Sequence, residues 1–159
     1  MSARADVARL AELCRTRGIT IGLAESCTGG LLASWICAYP GASAFFAGGV
    51  VSYSRSVKVG VLGVPLSLIQ NQGEVSTTVA RAMAIGARKS LECTWSVAIT
   101  GIAGPGGGSV EKPVGTVCFS VVGPAFETVA QHKFAANSGR EEIQRQAALF
   151  AFDLLVNAI

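Results

Sequence analysis

The hydrophobic pattern of the chain changes between helical spacing and short β-branched runs. Apolar residues recur every three or four positions from Ala5 to Arg17, which predicts a first helix. The run 19–23 predicts a buried strand, and the apolar run 31–38 predicts a second helix. Further strands are predicted at 45–53, 95–100, 114–122 and 128–134, and further helices at 54–62, 65–73, 76–91 and from a capping box at Ser138 onward.

The order of these elements decides the fold class. The first strands alternate with helices, which is typical of parallel strands joined by helical crossovers. The last two strands meet near Gly123–Pro124, which indicates an antiparallel hairpin. The sequence therefore predicts an α/β fold, a three-layer α/β/α sandwich with a mixed β-sheet. At 159 residues, we expect one domain that spans residues 1–159.

Charge and cysteine content exclude several classes of protein. The net charge is only +3 and the cations are spread along the chain, so we expect no nucleic-acid partner. The uncharged stretch 26–54 is interrupted at Pro40–Gly41, so we expect no membrane partner either. Five cysteines without Cys-x-x-Cys spacing and a single histidine argue against a metal site. Unpaired cysteines without a signal peptide fit a cytoplasmic location.

The candidate site is organised around the turn that follows the first strand. Ser26 lies between a predicted strand and a predicted helix, where a hydroxyl is exposed and the free N–H groups of the helix start face a ligand. Gly29 and Gly30 have no side chains, so a ligand could approach their backbone closely. A second interpretation is equally open, in which the turn is a plain connection and Ser26 or Thr28 caps the helix.

A serine nucleophile needs a base, and the chain offers few of them. The single histidine, His132, lies in the middle of a predicted strand, where a solvated or core-edge position is favoured over a catalytic one. Lysine is the other base in general use with serine, and Lys58 follows the second strand at the edge where Ser26 should lie. Apolar walls around Lys58 would favour the neutral amine that a base requires. A solvated surface lysine is the alternative interpretation.

Two further features bear on an anionic ligand. The glycine-rich loop 101–108 lacks the Lys-Ser/Thr ending of a P-loop, but its backbone N–H groups can bind an anion or an oxyanion. A flexible connector is an equally open interpretation of this loop. Arg140 lies in the first turn of the predicted last helix, where its charge opposes the helix dipole, and this placement indicates an anionic partner.

Several stretches together resemble one protein family. They are Ala24–Gly30 (Ala-Glu-Ser-Cys-Thr-Gly-Gly), Tyr53–Ser54 with Lys58, Leu62–Val64, Thr100–Pro105 (Thr-Gly-Ile-Ala-Gly-Pro) and Lys112–Val117 (Lys-Pro-Val-Gly-Thr-Val). Over nearly its whole length the chain resembles the CinA C-terminal domain family, whose enzymatic members are nicotinamide-nucleotide amidases. The blocks that contain Ser26 and Thr100 are specific when they occur together.

The resemblance implies an activity and a set of site residues. The reaction is hydrolysis of the carboxamide of nicotinamide mononucleotide, a small pyridine nucleotide, to nicotinate mononucleotide and ammonia. The implied catalytic residues are Ser26 as nucleophile, Lys58 as its base and Tyr53 nearby. No cofactor is implied, and we expect a homo-oligomer. The implied substrate-binding residues come from the turn, the glycine-rich loop and the last helix, namely Thr28, Gly29, Gly30, Thr100, Gly101, Gly104 and Arg140.

The chain departs from the family pattern at three places. Arg55 stands where Asn is usual, Gly106 where an acidic residue or Asn is frequent, and Ser138–Arg140 where Gly-Asp/Asn-Arg is common. These departures leave the Ser-Lys pair intact and bear on substrate preference. Larger family members carry an additional N-terminal nucleotide-processing domain, for which 159 residues leave no room. The chain therefore resembles the stand-alone, PncC-type amidases.

Three hypotheses about function follow. The first is an amidohydrolase that uses Ser26 and Lys58. The second is a nucleotide-binding module without turnover, which uses the same glycine loops and helix start. The third is a thiol enzyme that uses Cys27, although adjacent residues point apart and Cys27 is then expected to pack inward.

Overall fold

The computed structural model describes residues 3–159, and over that range it contains six α-helices and five β-strands. The helices are α1 (Ala3–Arg17), α2 (Leu31–Cys37), α3 (Arg55–Gly60), α4 (Leu66–Gln72), α5 (Thr77–Ser90) and α6 (Arg140–Ala158). The strands are β1 (Ile21–Glu25), β2 (Phe46–Val51), β3 (Trp95–Gly101), β4 (Thr116–Gly123) and β5 (Phe126–Lys133). Short 3₁₀ turns lie at Ala42–Ala44 and Ala136–Ser138. Every predicted element is present, with its boundaries shifted by at most two residues.

The five strands form one mixed sheet in the order β2-β1-β3-β4-β5. β1 pairs in parallel with both β2 and β3, whereas β4 is antiparallel to β3 and to β5. The predicted mixed sheet with a late hairpin is thereby confirmed. Because β1, β2 and β3 run in the same direction, their carboxyl ends meet at one edge, and this is the edge where α/β sheets bind ligands.

Hydrophobic residues on the two faces of the sheet form two separate cores. The larger core packs α1, α2 and α6 against one face, with Leu10, Ile36 and Phe152 fully buried. The smaller core packs α4 and α5 against the other face, with Ile69 and Met83 at its centre. Helices therefore cover both faces of the sheet, and the three-layer α/β/α prediction is confirmed.

Small and polar residues let α5 pack closely against the segment after α3 and against the sheet. At Gly86 a side chain has no room, because a Cβ there would collide with the backbone of Leu62. The Ser96 hydroxyl donates across 2.7 Å to a backbone carbonyl of α5, which satisfies a polar group buried between helix and sheet. This close packing brings the loop before α5, which contains Glu74, to the carboxyl end of β3.

Local capping rules hold at the start of α5 and fail at the starts of α6 and α2. The predicted cap Ser76 accepts the N–H of Val79 at 3.2 Å and begins α5. The Ser-x-x-Glu pattern at Ser138 is not a capping box, because Ser138 ends a 3₁₀ turn and Gly139 is the N-cap of α6. The N-cap of α2 is Gly30, not Ser26 or Thr28, because a carboxylate outside the helix satisfies its first N–H groups.

Candidate active site

A cleft of about 250 Å³ opens at the carboxyl edge of the sheet. Segments that follow β1, β2 and β3, together with the loop before α5 and the start of α6, form its walls. Its lining contains all three predicted catalytic residues and four of the seven predicted substrate-binding residues. The full lining is Ser26, Cys27, Tyr53, Lys58, Glu74, Val75, Thr100, Gly101, Ile102, Ala103, Gly104, Gly106, Gly107 and Arg140.

Ser26 and Lys58 meet within this cleft. Ser26 directly follows β1, and its N–H donates to the Ile99 carbonyl of β3 across 2.9 Å, which holds the turn against the sheet. Lys58 lies on α3, a short helix that the Ser54 hydroxyl caps. Lys58 Nζ lies 3.1 Å from Ser26 Oγ, and the two residues are 1% and 8% exposed. This is the separation expected of a nucleophile and its base, and the surface-lysine alternative is wrong.

The Lys58 nitrogen is surrounded by acceptors. Nζ donates to the Ser52 carbonyl at 2.8 Å and lies 3.4 Å from the Tyr53 carbonyl. It also lies 3.3 Å from Oε2 of Glu74, whose side chain is 33% exposed at the cleft wall. The expectation of apolar walls is therefore wrong at this atom, although the burial itself is nearly complete. These acceptors can receive hydrogen bonds from the ammonium group that proton transfer from Ser26 would create.

The start of α2 is closed by the carboxylate of Glu25, which is 1% exposed. Oε2 accepts the Thr28 hydroxyl at 2.6 Å and the N–H groups of Gly30 and Leu32 at 3.2 Å each, and Oε1 accepts the Ala33 N–H at 2.8 Å. A helix start leaves such N–H groups available for a cap or an anionic ligand. Because Glu25 already occupies them, the N-terminus of α2 is not free to bind a substrate.

Three predicted substrate-binding residues lie outside the cleft lining. The Thr28 hydroxyl contacts Glu25, the Gly29 N–H donates to the Ser26 carbonyl at 3.0 Å, and the Gly30 N–H contacts Glu25. Closer to the nucleophile, the backbone N–H groups of Cys27 and Thr28 donate to no other residue in the range 3–159. The Thr28 N–H lies in the turn whose free N–H groups were expected to face a ligand, and it has no partner among the described residues.

Arg140 and Tyr53 form the exposed rim of the cleft. Arg140 donates from Nη2 to the Tyr53 hydroxyl at 2.9 Å and from Nη1 to the Gly104 carbonyl at 2.7 Å. Tyr53 is 60% exposed, and only its backbone carbonyl contacts Lys58. A guanidinium has five N–H donors, so Arg140 can still donate to an anion at the rim.

Thr100, Gly101 and Gly104 contribute mainly backbone to the cleft wall. The Thr100 hydroxyl donates to the Glu74 carbonyl at 3.0 Å and thereby joins β3 to the loop before α5. A Cβ at Gly101 would lie 2.7 Å from the side chain of Val117. Gly104 has a φ of 80°, and a Cβ there would lie 2.6 Å from Val114. Larger residues at either glycine would therefore displace the wall of the cleft.

The other candidate nucleophile and base have different environments. Cys27 belongs to the larger core and is 5% exposed, and burial raises the pKa of its thiol to about 12. A thiol reacts as its thiolate, so this environment supports packing and not nucleophilic chemistry. His132 is an exposed residue of β5, the strand at the far edge of the sheet, and its ring lies 4.4 Å from that of Phe134. His132 is therefore the solvated residue that was predicted.

Sequence reasoning missed two carboxylates. Glu25 ends β1 and caps the start of α2. The only local signal of this role is an acidic residue that lies a few positions before the pair Gly29–Gly30. Glu74 lies between α4 and α5, where nothing in the local sequence indicates a partner. The packing of α5 on the sheet brings it to Lys58, which precedes it by 16 positions.

The remaining chemistry of the cleft is ionic. The lining contains basic side chains at Lys58 and Arg140 and an acidic one at Glu74, and the Arg140 guanidinium can attract an anionic ligand. Within residues 3–159, no group of three or more His, Cys, Asp or Glu side chains is arranged to hold a metal ion. No helix in the described part of the chain has the length and apolar composition needed to cross a membrane.

Two crystal structures share this architecture over the whole described chain. The competence-damaged protein (CinA) superfamily protein from Escherichia coli is 31% identical, with a TM-score of 0.95 over 99% of this chain and 91% of that one. The competence/damage inducible protein CihA from Agrobacterium tumefaciens is 34% identical, with a TM-score of 0.95 over 99% of both chains. The α/β fold is therefore that of CinA superfamily proteins.

Longer curated proteins match at higher identity. A CinA-like protein from Anaeromyxobacter dehalogenans (strain 2CP-1) is 51% identical over 150 residues, which are 94% of this chain and 35% of that protein. A CinA-like protein from Synechococcus sp. (strain CC9902) is 46% identical over 138 residues, which are 87% of this chain and 33% of that protein. The chain spans about a third of the length of these relatives. The sequence profile of the CinA C-terminal domain matches residues 4–159, and the chain belongs to the CinA C-terminal domain family.

Proposed function

We propose that this chain is an amidohydrolase that converts nicotinamide mononucleotide and water to nicotinate mononucleotide and ammonia. One observation carries the proposal: Ser26 Oγ lies 3.1 Å from the buried Nζ of Lys58 in a cleft lined by glycine backbone. Serine with a lysine base is an established arrangement for acyl transfer. The family resemblance supports the substrate class, and the cationic rim at Arg140 is consistent with a phosphate-bearing substrate.

In the first half of the proposed reaction, Ser26 attacks the carboxamide carbon. Neutral Lys58 takes the hydroxyl proton as the bond from Oγ to carbon forms, and the carbonyl oxygen becomes an oxyanion. The N–H groups of Cys27 and Thr28 directly follow the nucleophile and donate to no other described residue, and we assign them to that oxyanion. The carbon–nitrogen bond then breaks, Lys58 returns the proton to the leaving nitrogen, and ammonia departs from an acyl-Ser26 ester.

The second half of the reaction releases the acid. A water molecule attacks the ester carbon while Lys58 accepts one of its protons. The bond from carbon to Ser26 Oγ breaks, and Lys58 returns the proton to the serine. One water is consumed and one ammonia is released per turnover, and both residues end in their starting protonation states.

The size of the cleft bears on which end of the substrate it encloses. Pockets that enclose a whole small molecule typically measure about 300–1,000 Å³, and this cleft measures about 250 Å³. The proposed pose therefore buries the carboxamide end beside Ser26 and leaves the phosphate at the rim. Arg140 lies at that rim and has donors to spare.

The direct test mixes purified protein with nicotinamide mononucleotide and measures ammonia against nucleotide consumed. The proposal predicts one ammonia per nucleotide, with almost none from the Ser26→Ala variant. Glu127→Gln is the matched control, since Glu127 pairs with Arg81 in an exposed ion pair outside the cleft lining. Calorimetric binding of the nucleotide by the wild type without ammonia release would instead support a nucleotide-binding module.

A further inference from the structure

Glu74 bridges two cations at the edge of the cleft. Its Oε2 lies 3.3 Å from Lys58 Nζ, and its Oε1 accepts from Arg55 Nε at 3.2 Å. The three side chains become more exposed in order, from 1% for Lys58 to 33% for Glu74 and 56% for Arg55. Since Lys58 Nζ also contacts Ser26, a continuous series of polar contacts runs from the buried nucleophile to solvent.

We propose that Glu74 is a positioning residue for Lys58, and that Glu74 and Arg55 together set the pH range in which Lys58 acts as a base. The inference rests on the proposed function for the identity of the base, and it adds two members to the Ser-Lys pair. In Ser-His-Asp hydrolases a carboxylate orients the base and stabilises the charge that the base gains. Glu74 has the same relation to Lys58, because it contacts the basic nitrogen and not the nucleophile.

The contacts around Nζ explain how Glu74 positions the amine. Two backbone carbonyls, of Ser52 and Tyr53, lie at 2.8 and 3.4 Å and are fixed by the chain. Glu74 supplies a further acceptor from the loop before α5, so the flexible lysine side chain is held from two separate segments. With these contacts made, Nζ stays within hydrogen-bond distance of Ser26 Oγ.

The charge of Glu74 acts in two opposing ways. When Lys58 takes the Ser26 proton, the new positive charge arises 3.3 Å from a carboxylate, which stabilises the transition state. In the free enzyme the same carboxylate attracts a charged Lys58 more strongly than a neutral one. Arg55 binds the other carboxylate oxygen, and its positive charge partly offsets the effect of the carboxylate on Lys58. Removal of Arg55 and removal of Glu74 should therefore shift the protonation of Lys58 in opposite directions.

The other titratable groups near Lys58 are held by different partners. Cys27, Tyr53 and Arg140 line the same cleft, and Glu25 is buried at the end of β1. Burial raises the pKa of the Cys27 thiol to about 12, so the thiol stays neutral, and an arginine does not lose its proton in a protein. The Tyr53 hydroxyl contacts Arg140, and the Glu25 carboxylate contacts donors at the start of α2. In the described residues Glu74 is the carboxylate in direct contact with Nζ.

The test reads the protonation of Lys58 directly. The chain has only four lysines, so protein labelled with ¹³C at the lysine ε-carbon gives four NMR signals, and Lys58→Arg identifies the relevant one. Its titration is compared in the wild type, Glu74→Gln, Arg55→Gln and the control Glu127→Gln. Glu74→Gln should move the midpoint down by about one pH unit or more. Arg55→Gln should move it upward, and the control should leave it unchanged.

The same variants are then assayed for ammonia release as a function of pH. Well above the midpoint Lys58 is neutral in both the wild type and Glu74→Gln. There kcat/KM of the variant should be lower by about 10-fold, because the ammonium formed in the reaction loses a charged partner. Glu74→Asp should recover part of the rate, since it restores the charge. If Glu74→Gln only disturbed the local structure, activity would fall but the titration midpoint of Lys58 would not change.

The outcomes separate this inference from the proposed activity. An identical Lys58 midpoint in the wild type and Glu74→Gln would overturn the role of Glu74, and so would an undiminished kcat/KM at high pH. Absence of ammonia release by the wild type would contradict the proposed amidase activity instead. The NMR titration needs no substrate, so it would still decide whether Glu74 and Arg55 control the charge of Lys58.

Discussion

Two buried ionisable residues flank Ser26, and their surroundings are opposite in kind. Glu25 meets four donors that all belong to the turn and the start of α2, and it does not reach the cleft. Lys58 meets two carbonyls, a carboxylate and the hydroxyl of Ser26, and it faces the cleft. The first environment is closed and stabilises the fold, whereas the second is open to a ligand.

The comparison shows why a buried charge is not in itself a catalytic residue. The partners of Glu25 are mostly backbone N–H groups of one helix start, so a charge there only holds the turn in place. Lys58 contacts a hydroxyl whose proton it could accept and a carboxylate that would stabilise the result. Ionisable groups in clefts with such partners are typical of functional sites.

The largest expected effect follows from removal of the nucleophile, Ser26. Ser26→Ala should lower kcat for ammonia release by at least about 10³-fold, because no acyl-enzyme can form. Binding of nicotinamide mononucleotide, measured by calorimetry, should stay within a few-fold of the wild type. Near-normal turnover by this variant would rule out a Ser26 mechanism.

A change that keeps the charge of Lys58 tests its function as a base. Lys58→Arg should lose turnover by a similar factor, because arginine does not give up its proton in proteins. Lys58→Met should be equally inactive and yet fold, since Glu74, the charged partner left behind, is one-third exposed and still pairs with Arg55. Substantial turnover by Lys58→Arg would mean that this position contributes only positive charge.

Glu25 should show the opposite pattern, with a loss of stability as the primary effect. Glu25→Gln keeps the size of the side chain but replaces one acceptor oxygen by a donor, which leaves at least one buried N–H without a partner. The expected cost is about 2–3 kcal/mol in the free energy of unfolding, or a fall in Tm of roughly 5–10 °C. Thermal unfolding beside Glu127→Gln measures it. An unchanged Tm with lost activity would place Glu25 in the chemistry instead.

Removal of the Arg140 charge should have a smaller effect, mainly on substrate binding. Arg140→Gln should raise KM by about 10-fold while kcat falls less, as expected for a contact made equally in the ground state and the transition state. Steady-state kinetics with nicotinamide mononucleotide provide both constants. A KM equal to that of the wild type would remove Arg140 from the phosphate site.

The smallest effect concerns the thiol next to the nucleophile. Because burial raises the pKa of Cys27 to about 12, its thiol stays protonated from pH 7 to pH 9 and should resist iodoacetamide across that range. The exposed Cys37 should be alkylated first, which peptide mass spectrometry would detect. Cys27→Ala should retain most turnover, and loss of activity in that variant with an active Ser26→Ala would restore the thiol hypothesis.

The sequence predicted those features that depend on local periodicity or on sheet direction. Helices and strands follow from apolar spacing, and the approach of Lys58 to Ser26 follows because both come after parallel, adjacent strands. The environment of Lys58 was not predictable, since the backbone carbonyls of Ser52 and Tyr53 leave no trace in a side-chain pattern. Glu74 was missed because packing between distant elements, and not sequence spacing, brings it to the base.

The cap of α2 shows why local rules failed at one helix start. Those rules assign the first N–H groups of a helix to a nearby Ser or Thr. Here a glutamate at the end of the preceding strand takes them, and the Thr28 hydroxyl becomes a donor to that same carboxylate. A capping group that lies in the preceding strand falls outside the helix, and the spacing of residues along the helix does not encode it.

The most direct test of the central claim is interception of the acyl-enzyme with hydroxylamine. If Ser26 carries the nicotinate acyl group, wild-type protein turning over nicotinamide mononucleotide should yield the nicotinohydroxamate nucleotide in a share that rises with hydroxylamine concentration. Ser26→Ala should yield none, and mass spectrometry of the products measures both. Ammonia release accompanied only by nicotinate mononucleotide at every hydroxylamine concentration would contradict a Ser26 ester and indicate direct attack by water.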